Sequence, residues 1–219
     1  MPDDETIDAA SDPAGGAGAA GPAPSPARKR PRPGERRVQI LQALAAMLEQ
    51  PGTERVTTAA LAARLEVSEA ALYRHFASKA QMFEGLIDFI EQSVLTLVNQ
   101  ITERDLPARE QAGQIVRVLL QFAEKNPGMT RVMAGDALVF ENERLQQRMN
   151  QFFDKIESQL RQVLRGLAAA EGADTPTVDA QMRAAVLTAF AMGRLQRFAR
   201  SGFRHLPSEH LDGALALML

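Results

Sequence analysis

The side chains best suited to chemistry crowd into one short stretch. Thr57, Thr58, Ser68, Tyr73, Arg74, His75 and Lys79 all lie between residues 57 and 79. Hydroxyl, phenol, guanidinium, imidazole and ammonium groups are hydrogen-bond donors, suited to phosphate oxygens and base edges. Bond-making chemistry has no comparable signature. The chain has 219 residues and no Cys, which removes thiolate catalysis, disulfides and Cys-based metal sites. Its three histidines are His75, His205 and His210. The last two miss the i, i+4 spacing of a helical metal site, and Pro207 stands between them. No P-loop, HExxH or nucleophile elbow occurs. The expectation is a binding protein, not an enzyme, with no metal and no cofactor.

Two short helices joined by a tight turn would position these donors. Thr57 is an N-cap for the Ala-rich run Thr58–Leu65, in which Leu61 and Leu65 share a face. Glu66 and Val67 make the turn, with Val67 as an apolar plug. Ser68 caps the second helix, and Glu69 favours the positive end of its dipole. Leu72 and Phe76 face the core. Ala70, Ala71, Tyr73, Arg74 and His75 are left toward solvent or DNA, the two alanines small enough to let the helix sit deep. Ser78 and Gln81 form a capping box for the next helix, which Lys79 opens. This is the pattern of a helix-turn-helix whose second helix enters the DNA major groove.

Charge distribution agrees. Residues 28–79 hold ten Lys/Arg and five Asp/Glu, whereas residues 1–27 hold five acids and no base. Residues 80–219 carry 15 bases and 17 acids. The overall charge of −2 therefore covers a basic head on an acidic body, and phosphate binding needs only the local excess. The run RKRPRPGERR at 28–37, including Arg36, is a solvated linker or an arm along the DNA backbone, and the helix-turn-helix behind it favours the arm. The acidic tail before it would screen that arm.

VTTAALAARLEVSEAALYRHFASKAQMF, with LYRHFASK at its centre, resembles the DNA-binding domain of TetR-type bacterial regulators. The resemblance implies an all-α fold of about nine helices, a homodimer and a palindromic operator in double-stranded DNA.

The rest of the chain reads as helical. Residues 1–34 lack apolar residues to bury and form a Pro-, Ala- and Gly-rich acidic tail with the basic arm. Gly16–Gly21 matches G-x-G-x-x-G, but no strand precedes it. Residues 35–80 form the head and 81–219 a helical body for dimerisation and partner binding. Helices are expected at about 35–50, 79–101, 107–125, 129–140, 142–169 and 176–201, with a last one opened by Pro207. Leu145, Met149, Phe152, Phe153, Ile156, Leu160, Val163 and Leu164, then Val186, Leu187, Phe190 and Leu195, are the apolar stripes of the two long body helices, the candidate dimer surface, although most of each stripe must be core in any fold. No run approaches a membrane span, and the acidic start is unlike a signal peptide, so a cytoplasmic protein is expected.

A denser likeness runs from about residue 35 to the C-terminus, through MFEGLIDFIEQS, FAEKNPGMTRVMAGDALVFENERLQQRMNQFFDKIESQLRQVLR and RSGFRHLP. These stretches resemble the SlmA-type nucleoid-occlusion factors of the TetR family. The resemblance implies a DNA-bound dimer, or a dimer of dimers, that binds the C-terminal tail of the tubulin-like division protein FtsZ and antagonises FtsZ ring assembly over the chromosome. Carried over residue by residue, Thr57 is needed for DNA binding. Phe89, Leu97, Val118, Gln121, Lys125 and Asn126 fall at tail-binding positions. Leu97 stands where the family can carry Arg, Lys125 replaces another Arg and Gln121 replaces a Gly. One positive charge is kept and one is lost, and Arg104, Arg117 and Arg131 are candidates to restore it. By spacing alone, Phe89 and Val118 read as core between two helices. Only the resemblance makes them a groove floor with Lys125 as its rim. The alternative is a ligand-responsive repressor. Against it, the body has no Trp, and the single Tyr lies on the DNA side.

Overall fold

The computed structural model describes residues 34–50 and 55–219. The acidic tail, most of the basic arm and the Gly16–Gly21 motif lie outside them. All regular structure among the described residues is helical. The head holds α1 (Glu35–Leu48), α2 (Thr58–Arg64) and α3 (Glu69–Tyr73). The body holds α4 (Lys79–Thr102), α5 (Ala108–Lys125), α6 (Pro127–Met133), α7 (Glu143–Ala170), α8 (Pro176–Arg200) and α9 (Leu211–Met218). None of these helices is long and apolar enough to cross a membrane.

One core runs through head and body. Ile40 and Leu44 of α1, Leu61 of α2 and Leu72 of α3 are buried together with Phe76. They meet Met82, Phe83, Leu86 and Ile87 at the start of α4. Further along α4, Ile90, Val94 and Val98 continue the stripe at i, i+4 spacing into the body. The long helices α7 and α8 are joined by a short turn at Gly172, whose φ of 75° suits a residue without a Cβ. Leu145, Met149, Phe152, Phe153, Ile156, Leu160 and Leu164 face inward from α7 as expected. On α8, Leu187 and Leu195 face inward as expected and Phe190 is half-buried, but Val186 is 54% exposed, and Ala180, Ala184 and Ala191 complete the inward face.

Two elements differ from expectation. The helix expected at 129–140 begins at Pro127 and stops at Met133, and a 3-10 turn, Asp136–Leu138, follows. Proline costs no hydrogen bond in the first helical turn, and Gly135 at φ 88° breaks the run. Pro207 does not open the last helix; α9 begins at Leu211, behind His210 in the left-handed region at φ 55°.

The contact between α1 and α6 is unusually close. A Cβ at Gly128 would stand 2.0 Å from the Ala45 carbonyl oxygen, so this position admits only glycine without movement of a helix. A ladder of ion pairs joins α4 to α7. Lys79 pairs with Glu141 just ahead of α7, Glu84 with Arg144 (2.6 Å), Asp88 with Arg148, and Glu91 with both Arg148 (3.1 Å) and Lys155 (3.3 Å). The order of partners shows that the two helices run parallel. Burial disfavours the Arg148 charge, but hydrogen bonds to Asp88 and Glu91 overcome this and raise its pKa. At the far end of the body Glu171 accepts from Arg183 (2.8 Å) and Arg109 (3.0 Å), fastening α7 to α8 and α5. The hydrogen bond from Arg183 is the chief reason its carboxyl sits below the usual range.

Candidate nucleic-acid interface and partner groove

The helix-turn-helix is built from local hydrogen bonds. Thr57 Oγ1 accepts the Ala60 N–H at 3.2 Å, Ser68 Oγ accepts the Ala71 N–H at 3.3 Å, and Ser78 Oγ accepts the Gln81 N–H at 3.2 Å. Each satisfies a donor that the first helical turn leaves unpaired. Gln81 Oε1 accepts in return from the Ala77 N–H at 2.9 Å. The turn closes through Glu66 at φ 54°, and the Val67 N–H donates to the Ala62 carbonyl at 3.0 Å. Val67 packs half-buried against the core, and Leu72 and Phe76 are buried. A tie invisible in the sequence joins the two helix starts: Thr58 Oγ1 donates to Glu69 Oε2 at 2.6 Å. Both side chains thus hold the turn together.

Ala70, Tyr73 and Arg74 are exposed on α3 and at its end, and Ala71 and His75 are half-buried. Tyr73 is 45% exposed, so its phenol lies on an open face. Arg36 is half-buried near the start of α1. Its neighbour Arg37 belongs to the head. Its guanidinium donates to the His75 carbonyl and lies 4.1 Å over the Phe76 ring, which locks the end of α3 onto α1. Lys79 is not an open donor either: Glu141 takes its ammonium.

The proposed partner residues lie along α4 and α5, which pack side by side. Phe89 is 48% exposed and Leu97 42%, so neither is core. The Phe89 ring stands 6.5 Å from Phe122, a neighbour that the expectations did not include although its i, i+4 spacing from Val118 was a usable signal. Val118 is half-buried, packed against the core, and Gln121 and Lys125 are exposed one and two turns on. Asn126 donates from Nδ2 to the Phe122 carbonyl at 2.7 Å, tying off the end of α5. A cavity of about 270 Å³ is lined by Phe89, Asn126, Leu86 and Met129 and by Val38 and Leu41 of α1. Two of the three arginines considered as substitutes for the lost charge are occupied elsewhere. Arg117 pairs with Asp212 at 2.6 Å, and Arg131 contacts Asp136 at 3.4 Å and the Leu48 carbonyl at 3.3 Å. Arg104 is exposed.

Residues 40–86 match the family described as bacterial regulatory proteins of the tetR family, and residues 110–219 match the SlmA-like, tetracyclin repressor-like C-terminal domain. Nucleoid occlusion factor SlmA of Photobacterium profundum is 52% identical over 178 residues, covering 81% of this chain and 90% of that protein. SlmA of Vibrio cholerae is 50% identical over 184 residues, covering 84% and 93%. The chain belongs to the SlmA branch of the TetR family. Members of the TetR family are DNA-binding regulators, which accords with the donor-bearing face of α3. Solved structures show the same fold at lower identity. The fatty acid degradation regulator FadR of Bacillus halodurans superposes with a TM-score of 0.70 at 13% identity, covering 84% of this chain and 95% of that one. PfmR of Thermus thermophilus superposes at 0.66 and 20%, covering 83% and 94%. Val118, Gln121, Lys125 and Asn126 fall in the C-terminal match, whereas Phe89 and Leu97 stand on α4 between the two matched segments.

Proposed function

We propose that this SlmA-type protein is a nucleoid-occlusion factor. As a homodimer on palindromic chromosomal sites, it binds the C-terminal tail of FtsZ and antagonises FtsZ ring assembly over the DNA. Thr57, Ser68, Ala70, Ala71, Tyr73, Arg74 and His75 make or shape the DNA face, with Arg36 beside it. The tail lies in the α4–α5 groove.

One observation carries the partner reading: Phe89 is half out of the protein, beside Phe122, on the helix that also leaves the DNA-binding head. An exposed Phe89 beside a half-buried Phe122, with Lys125 at the rim, suits a short peptide with apolar anchors and a carboxylate. Support for the dimer comes from α8. Val178, Met182 and Val186 are 54%, 57% and 54% exposed at i, i+4 spacing, an apolar stripe that a second copy would cover.

Sedimentation of FtsZ polymers with GTP tests this reading, with the protein added in the presence and absence of a chromosomal palindrome that it binds. Loss of pelleted FtsZ is expected, strengthened by that DNA and abolished when the FtsZ tail is deleted. An unchanged pellet with intact DNA binding would leave a ligand-responsive transcriptional repressor.

A further inference from the structure

Lys79 opens α4 immediately behind the helix-turn-helix, where an ammonium would reach a DNA phosphate. The structure turns that ammonium toward the body. It donates to Glu141 Oε1 and lies 5.6 Å from the centre of the Phe83 ring. The pair is largely shielded, with the Lys79 side chain 20% exposed and that of Glu141 9%. Glu141 is also fixed from both sides. Its N–H donates to the Leu138 carbonyl at 3.0 Å, and the next residue, Asn142, caps α7 by accepting the Arg144 N–H at 3.1 Å. The backbone that carries this carboxylate is therefore held in place, and only side-chain rotation could let it follow the lysine outward.

From this we infer that Glu141, a body residue, competes with DNA phosphate for Lys79 and so holds down the affinity of the head for DNA. Moving Lys79 to a phosphate breaks a shielded ion pair and strands a mostly buried carboxylate, which opposes binding. While the pair persists, the head presents one cation fewer to the DNA backbone, and the dependence of affinity on salt is correspondingly shallower. The inference rests on DNA binding by the α2–α3 unit, and it assigns to Glu141 a restraining role at a distance from the bases.

The opposing possibility is a clamp that merely steadies the head. The two make opposite predictions for Glu141→Gln, which keeps the shape and removes the charge. Binding to a mixed-sequence DNA duplex is measured by fluorescence anisotropy across a salt series, for the wild type, Glu141→Gln, Glu141→Asp, Lys79→Ala and the Glu141→Gln/Lys79→Ala double variant, with melting temperatures as a folding check. Competition predicts tighter binding for Glu141→Gln, by roughly tenfold at 0.1 M salt if one full phosphate contact is gained, and a slope of log K against log salt steeper by about one. Glu141→Asp stays close to the wild type, and the gain disappears in the double variant. Weaker binding by Glu141→Gln, or a gain that survives Lys79→Ala, overturns the inference. No binding by the folded wild type at low salt would instead refute the DNA-binding reading itself.

Discussion

Under the proposed function, Phe89 should separate binding from folding. Because it is 48% exposed, truncation removes only about half the area a core phenylalanine buries. Phe89→Ala should cost no more than about 2 kcal/mol in chemical denaturation, yet remove capture of an FtsZ-tail peptide. A loss of stability well beyond that would return the residue to the core. Ser68 behaves oppositely. Its hydroxyl caps α3, whose five residues cannot sustain a helix unaided, so Ser68→Ala should cost about 1 kcal/mol and weaken DNA binding together with stability. Unchanged melting with reduced DNA binding would make Ser68 a phosphate contact alone. The caps at Thr57, Ser68 and Ser78 were legible in the sequence because a cap and its recipient N–H lie three residues apart. The engagements of Lys79 by Glu141 and of Arg37 by the His75 carbonyl were not, because those partners are 62 and 38 positions away and no periodicity links them.

Among the elements, α6 is the most tightly placed. Gly128→Ala puts a methyl into the Ala45 carbonyl, so α1 and α6 must separate. The expected cost is about 1–3 kcal/mol, read as a lowered thermal midpoint. DNA binding should fall with it, since α1 carries Arg36 and Arg37. A wild-type midpoint would mean that the backbone yields easily there. The long helices were legible from their 3.6-residue stripes, and α4, α5, α7 and α8 lie close to where the pattern puts them. The segment after Asn126 was not. Gly135-Asp136 breaks its apolar run, but a single glycine inside a helical pattern does not by itself end a helix; the left-handed backbone at Gly135 divides helix from 3-10 turn. The division of the α8 stripe between core and exposed face was not legible either. Val186 has the composition of core, but its register turns it outward beside Val178 and Met182.

At the level of the whole molecule that face predicts assembly. Met182→Glu places a charge in the middle of the stripe and should convert the homodimer to monomer in analytical ultracentrifugation. The monomer should lose cooperative binding to a palindrome but retain a folded head. A dimer that survives the substitution would move the interface off this part of α8. The ion-pair ladder along α4 and α7 has a consequence of its own. Individually, exposed pairs of this kind contribute little to stability. Most of the ladder has a single polarity, with acids at 84, 88 and 91 on α4 and bases at 144, 148 and 155 on α7. A ladder of one polarity tolerates a slip of one helical turn, because each acid finds another base. Lys79–Glu141 reverses the polarity at one end. A slip in one direction then sets Lys79 against Arg144, and a slip in the other sets Glu84 against Glu141. The reversed pair acts as the odd tooth of a key, allowing the helix that leaves the head only one seat on the body.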